Sequence, residues 1–181
     1  MRTPAHLRRA LLAVFLALPL TALAQPGPVV ETEASLEALG GVRFLRPDWK
    51  PVREDAAVAV YERAAEPATK RPFYVLLVAV EEGPAGEVDW SRVRDNIVEA
   101  ATKNQRKLTL EVGQSYVAQG FDAKLMTGTF EGDGGQKVTL ELVGLVADGR
   151  LVTVSLISDE ATEESAGILA AVARTVALGA R

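Results

Sequence analysis

Between Gln136 and Ile157, apolar and polar residues alternate on both sides of an Ala147-Asp148-Gly149 stretch. Val138, Leu140, Leu142 and Val146 sit at even positions, as do Val152, Val154 and Leu156 after the turn, with Lys137, Thr139, Glu141, Thr153 and Ser155 between them. Period two flanking an Asp-Gly predicts a β-hairpin. A two-residue loop would set Glu141 opposite Leu156 and split the even sets between two faces. A three-residue loop keeps them together, with Leu142 facing Val154, Leu140 facing Leu156, and Gly149 in the left-handed third position. The alternation therefore predicts the three-residue form. Val143, Leu145, Leu151 and Ile157 make the second face apolar too, which predicts strands inside a sheet covered on both sides.

The same reading runs along the rest of the chain. Gln25 to Gly41, opening Gln-Pro-Gly-Pro and closing Gly-Gly, predicts a flexible N-terminal arm with at most one helical turn around Leu36–Leu39. Val42–Leu45 and Ala56–Arg63 predict strands. Phe73–Val80 is apolar without interruption and predicts a strand buried on both faces at the middle of the sheet. Asp89 can cap a helix carrying Trp90, Val93, Ile97, Val98 and Ala101 on one face and ending near Asn104. Leu108–Gln119 is ambiguous: Leu108, Leu110 and Val112 alternate like a strand. Thr109 as cap, the Val112–Tyr116 spacing and a Gly120 stop tip the expectation to a short helix. Ala123–Phe130 predicts a strand. After the hairpin, Ser158–Thr162 offers caps for a last helix with the stripe Ile168, Leu169, Val172 and Val176, stopped by Gly179. Strand runs broken by a helical insert predict an α+β fold, an antiparallel sheet of about six strands sandwiched by helices, in one domain over 42–181.

The start of the chain changes the picture of where it works. Arg2, Arg8 and Arg9 precede an apolar run from Ala10 to Leu20, and Ala22-Leu23-Ala24 is a small-x-small cleavage site. Residues 1–24 are thus expected to be a signal peptide cut between Ala24 and Gln25, giving a periplasmic or secreted product. Arg8-Arg9 also fits a twin-arginine address. The apolar run is too short for a membrane span, and no cysteine follows the cleavage site to take a lipid anchor. Without the three leader arginines, 17 basic stand against 24 acidic residues, a net charge of −7. That balance argues against nucleic acid and anionic membrane surfaces.

The single histidine, His6, lies in the leader, and the chain has no cysteine. From Gln25 onward, serine–histidine and cysteine–histidine nucleophiles and imidazole or thiolate metal sites are impossible. Glu131-Gly132-Asp133-Gly134-Gly135 lacks the alternating ligands of a calcium loop and reads as a hairpin turn. Asp159, Glu160, Glu163 and Glu164 suit a helix N-terminus better than an acid–base pair, because a solvated first turn does not push two carboxyl pKa values apart. Ser91 and Ser115 have no base partner.

One motif carries a resemblance. The strand running into Phe44-Leu45-Arg46-Pro47-Asp48-Trp49 resembles the aromatic–x–x–Pro–x–Trp entry of PsbP-like and DcrB-like domains, and the order of elements from Val42 to Leu178 is similar. The resemblance implies an α/β/α sandwich acting as an extrinsic or accessory protein, with no catalytic residues to carry over. No metal or cofactor motif matches, and no cofactor is expected.

The expectation is an exported, non-enzymatic accessory or partner-binding protein of the cell envelope, its partner an envelope protein of unknown identity. Trp49 and the Pro-framed Lys70-Arg71 loop are the candidate contacts, since tryptophan favours interface centres and paired cations can grip an anionic partner. Core packing is the competing role for Trp49 and for Trp90. The alternatives are a small hydrolase built on two carboxylates, or a carrier holding an apolar ligand between helices and sheet.

Overall fold

The structure, a computed structural model, describes residues 30–68, 72–84, 86–103, 107–118, 120–131 and 135–180. The strands are β1 (Thr32–Leu36), β2 (Val42–Arg46), β3 (Lys50–Glu54), β4 (Val58–Arg63), β5 (Tyr74–Glu82), β6 (Leu108–Ser115), β7 (Asp122–Glu131), β8 (Lys137–Ala147), β9 (Arg150–Ser158) and β10 (Ala177–Leu178). Two α-helices join them, α1 (Trp90–Lys103) and α2 (Glu163–Thr175). Seven strands form an antiparallel sheet in the order β3-β4-β5-β9-β8-β7-β6, and β1-β2-β10 form a second, small sheet. The fold is the expected antiparallel α+β arrangement with a helix on each face of the main sheet.

The β8–β9 hairpin forms, with the other loop. Ala147 pairs with Arg150 and Glu141 with Leu156, so only Asp148 and Gly149 turn the chain. Their φ values of 50° and 65° are those of a type I′ turn, whose twist matches the flanking strands. The longer loop was favoured by parity alone, which kept the even sets on one face. With both faces apolar, splitting the even sets costs little burial, and turn geometry decides the register.

This register sorts the core into two layers. Val143 and Leu145 of β8, Val152, Val154 and Leu156 of β9, and Tyr74, Leu76, Val78 and Val80 of β5 face α2 and the small sheet, meeting Ile168, Leu169 and Val172. Leu140, Leu142 and Val146 of β8 and Leu151 of β9 face α1, meeting Trp90 and Val93. Each helix starts on its cap: Asp89 Oδ1 accepts from the Ser91 and Arg92 amides, and Thr162 and Ser165 form a reciprocal capping box. Glu141, buried beneath α2, accepts a hydrogen bond from the Ser165 hydroxyl.

Three further expectations are corrected. Part of the stretch read as an arm, 25–41, is built in: β1 pairs with β2 along its length, Leu36 is buried, and a 3-10 turn follows at Ala38–Gly40. Leu108–Ser115 is strand, not helix, because pairing with β7 satisfies its backbone where an isolated short helix would have little apolar face to bury. The last helix ends at Thr175, not at Gly179. Val176 turns extended and the chain runs on into β10 against β2. The leader, residues 1–24, lies outside the described residues.

Candidate ligand-binding trough

Trp49 lies between β2 and β3, half-buried, with its indole stacked on the Tyr74 ring at 5.8 Å between centroids and 8° from parallel. The Arg63 guanidinium sits 4.4 Å from the Tyr74 centroid and 5.6 Å from that of Trp49, and pairs with Glu164 at 2.8 Å. The Tyr74 hydroxyl reaches Thr162 Oγ1 at 3.0 Å, and burial raises its pKa above the ordinary tyrosine value. Trp49 therefore spends its aromatic face inside the molecule, against the start of β5, where Tyr74 and Arg63 reach the start of α2. Lys70 and Arg71 lie outside the described residues. Glu163 and Glu164 sit in the first turn of α2, as their sequence position implied. The Ser115 hydroxyl accepts from Lys124 Nζ at 2.9 Å. Among the described residues no group of three or more acidic or histidine side chains could hold a metal ion.

A different surface stands out. One face of the seven-stranded sheet is covered by α2 and the small sheet together, the other by α1 alone. Seven strands span about 29 Å at ~4.8 Å spacing, whereas one helix is about 10 Å across. α1 packs over β6 and its neighbours, and among the described residues no helix covers the β4, β5 and β9 side of that face. The residues turned there are the odd ones of β5, in register with β9 and β4: Leu77 opposite Ser155 and Val60, Ala79 opposite Thr153 and Val58.

The result is an apolar trough of about 360 Å³. Val58, Leu77, Ala79 and Ile157 form the open end of its floor, Leu140 and Leu142 continue it beneath the helix, Ile97 and Ala101 of α1 form one wall, and Leu108 and Phe130 close the far end. The polar atoms along it are the Thr153 and Ser155 hydroxyls in the floor and the Glu81 carboxylate at the rim. Such a lining can hold aliphatic matter by displacing water and can orient little else. A volume near 360 Å³ is at the small end of ligand sites.

Sequence reasoning placed these residues in a doubly covered core. Leu77 is half-buried, while its neighbours Leu76 and Val78 are fully buried. The missed signal was arithmetic: with Leu108–Ser115 a strand, only one described helix remains for the α1 face of a wide sheet.

No protein-family profile and no curated protein matches the chain by sequence. Among solved structures it is similar to cyanobacterial PsbP (CyanoP) from Synechocystis sp. PCC 6803, at 16% identity and a TM-score of 0.49, over 89% of this chain and 99% of that one. It is also similar to PA94 from Pseudomonas aeruginosa, a protein of unknown function, at 12% identity and a TM-score of 0.42, over 71% of this chain and 83% of that one. At these identities the likeness is to the fold alone.

Proposed function

We propose that the chain is an exported, non-catalytic accessory protein of the cell envelope that works by binding, and that its contact surface is the trough beside α1, occupied by an aliphatic ligand. The observation that carries the reading is the trough itself: side chains from six strands and one helix leave an apolar space of about 360 Å³ on a sheet face that α1 is too narrow to cover. Export is supported by the basic, apolar and small-residue order of residues 1–24. A binding role is supported by the absence of histidine and cysteine from residue 25 onward, which leaves serine and threonine hydroxyls without their usual activating base. Glu81 is the single carboxylate among the trough's lining residues, whereas two-carboxylate hydrolysis needs a pair across the substrate. Among the described residues no helix is long and apolar enough to cross a membrane.

Within this reading the trough takes precedence over Trp49 as the contact, because the indole is already stacked on Tyr74. The test is displacement of a fluorescent aliphatic probe from the purified protein by a long-chain alcohol. Ala79→Asp puts a charge on the trough floor and should abolish binding while leaving the thermal midpoint near that of the parent. Unchanged probe binding in that variant, or none in the parent, would overturn the reading.

A further inference from the structure

We infer that β6 is a self-pairing edge, through which two copies of this chain join antiparallel over Leu108–Val112 about a two-fold axis at Leu110. The inference is independent of the trough's occupant.

The seven-stranded sheet ends in two edges, β3 and β6, and they are built differently. A bare strand edge offers unpaired amides and carbonyls to another chain, and proteins blunt it with proline, lysine, bulges and exposed charge. β3 has all of these: Lys50, Pro51, Arg53 and Glu54 in five exposed residues, and a break in register between Pro51 and Arg53. Over Leu108–Val112, β6 has no proline, lysine or bulge and a single exposed charge, Glu111, and every residue pairs regularly with β7. Its register shifts only beyond Val112, before Ser115.

Those five residues are also complementary to themselves. With the axis at Leu110, Leu108 of one copy faces Val112 of the other, and the two Leu110 side chains meet, all on the α1 side. Thr109 faces Glu111 of the second copy on the opposite side, a hydroxyl against a carboxylate. Shifting the axis to Glu111 would oppose two carboxylates, which is destabilising in directly opposite cross-strand pairs. Leu108 and Val112 are only half-buried in one copy, so the join covers apolar surface that the single chain leaves open. Thr109 and Glu111 are exposed, so changes there act on the join rather than on the core.

Sedimentation equilibrium on the chain from Gln25 onward, from micromolar to millimolar concentration, tests the register itself. The parent should dimerise, with those amides of Leu108–Val112 that point away from β7 gaining protection from hydrogen exchange as concentration rises. Thr109→Lys puts an ammonium opposite Glu111 at two places and should tighten the dimer about three- to tenfold. Adding Glu111→Lys to it sets like charges opposite each other and should loosen the dimer by about tenfold or more relative to Thr109→Lys alone. Far-ultraviolet circular dichroism and thermal midpoints should match across the three proteins. Monomers at millimolar concentration in both the parent and Thr109→Lys, or a dimer indifferent to both changes, would overturn the inference.

Discussion

The indole of Trp90 lies against the backbone of Gly144, so close that a Cβ at 144 would stand 2.6 Å from Cζ3. α1 begins at Trp90, Gly144 lies near the middle of β8, and this contact sets how near the helix can come to the sheet. The Trp90 Nε1–H donates to Asp122 Oδ1 at 3.4 Å, a long bond that fixes orientation more than it stabilises. Trp90 is thus core.

Gly144→Ala should destabilise by about 1–3 kcal/mol, as overpacking does, and Trp90→Ala by about 3–5 kcal/mol. The pair should be non-additive, since the alanine methyl has room once the indole is gone. Denaturant titration of the two single variants and the double variant measures the coupling; strict additivity would mean that the helix does not rest on Gly144.

How much of this was legible follows from what each signal depends on. The strands Tyr74–Glu82 and Lys137–Ala147 and the helix from Asp89 were legible, because burial imposes period two or period 3.6 and Asp89 is a strong cap. Leu108–Ser115 was not, because an edge strand buries few residues: only Leu110 is fully inside. β10 was not, because a two-residue strand owes its existence to a partner far along the chain, Ala177 with Arg43, and β1 was not, because Leu36 is its single buried residue. The trough was invisible for the opposite reason. Leu77 and Leu76 read alike in sequence, and only the width of α1 separates them.

Leu76 and Leu77 should accordingly respond in opposite ways. Leu76→Ala removes a fully buried side chain and should cost about 2–5 kcal/mol. Leu77→Ala removes a half-exposed side chain from the trough floor and should cost about 1 kcal/mol or less, while weakening probe binding. Equal losses of stability in chemical denaturation would mean that the trough is closed in solution.

Among the described residues Arg150 is the largest fully buried side chain, 2% exposed. Its Nη1 donates to the Leu39 carbonyl at 3.0 Å and the Gly179 carbonyl at 3.1 Å, tying the 3-10 turn to the end of the chain. Leu39 has φ 54°, a left-handed conformation costly for a branched side chain, and this clamp helps to hold it. Arg150→Ala should therefore cost about 3 kcal/mol or more and speed amide exchange at Leu178, which pairs with Val42. Arg150→Lys should restore only part, because a single ammonium cannot reproduce the planar fork. Full rescue by lysine would show that charge alone matters there.

The last prediction concerns alkaline stability. Tyr61 is buried against Phe44 and Arg46, and its hydroxyl donates to Glu54 Oε1 at 2.8 Å. Burial, with the Glu54 carboxylate adding to it, pushes the phenol from an ordinary value of 10.0 up to about 12. A group whose folded pKa is raised contributes stability that is fully present below its unfolded pKa. That contribution should be intact below about pH 10 and lost as pH rises through about 12. Tyr74 shifts in the same direction, also chiefly through burial, so Tyr61→Phe should flatten the decline over that window without removing it. Unfolding free energies measured by denaturant at a series of alkaline pH values give the slope directly, and phenolate absorbance reports when each tyrosine ionises. Parallel slopes for the parent and Tyr61→Phe would show that the phenol ionises as freely in the folded protein as in the unfolded chain.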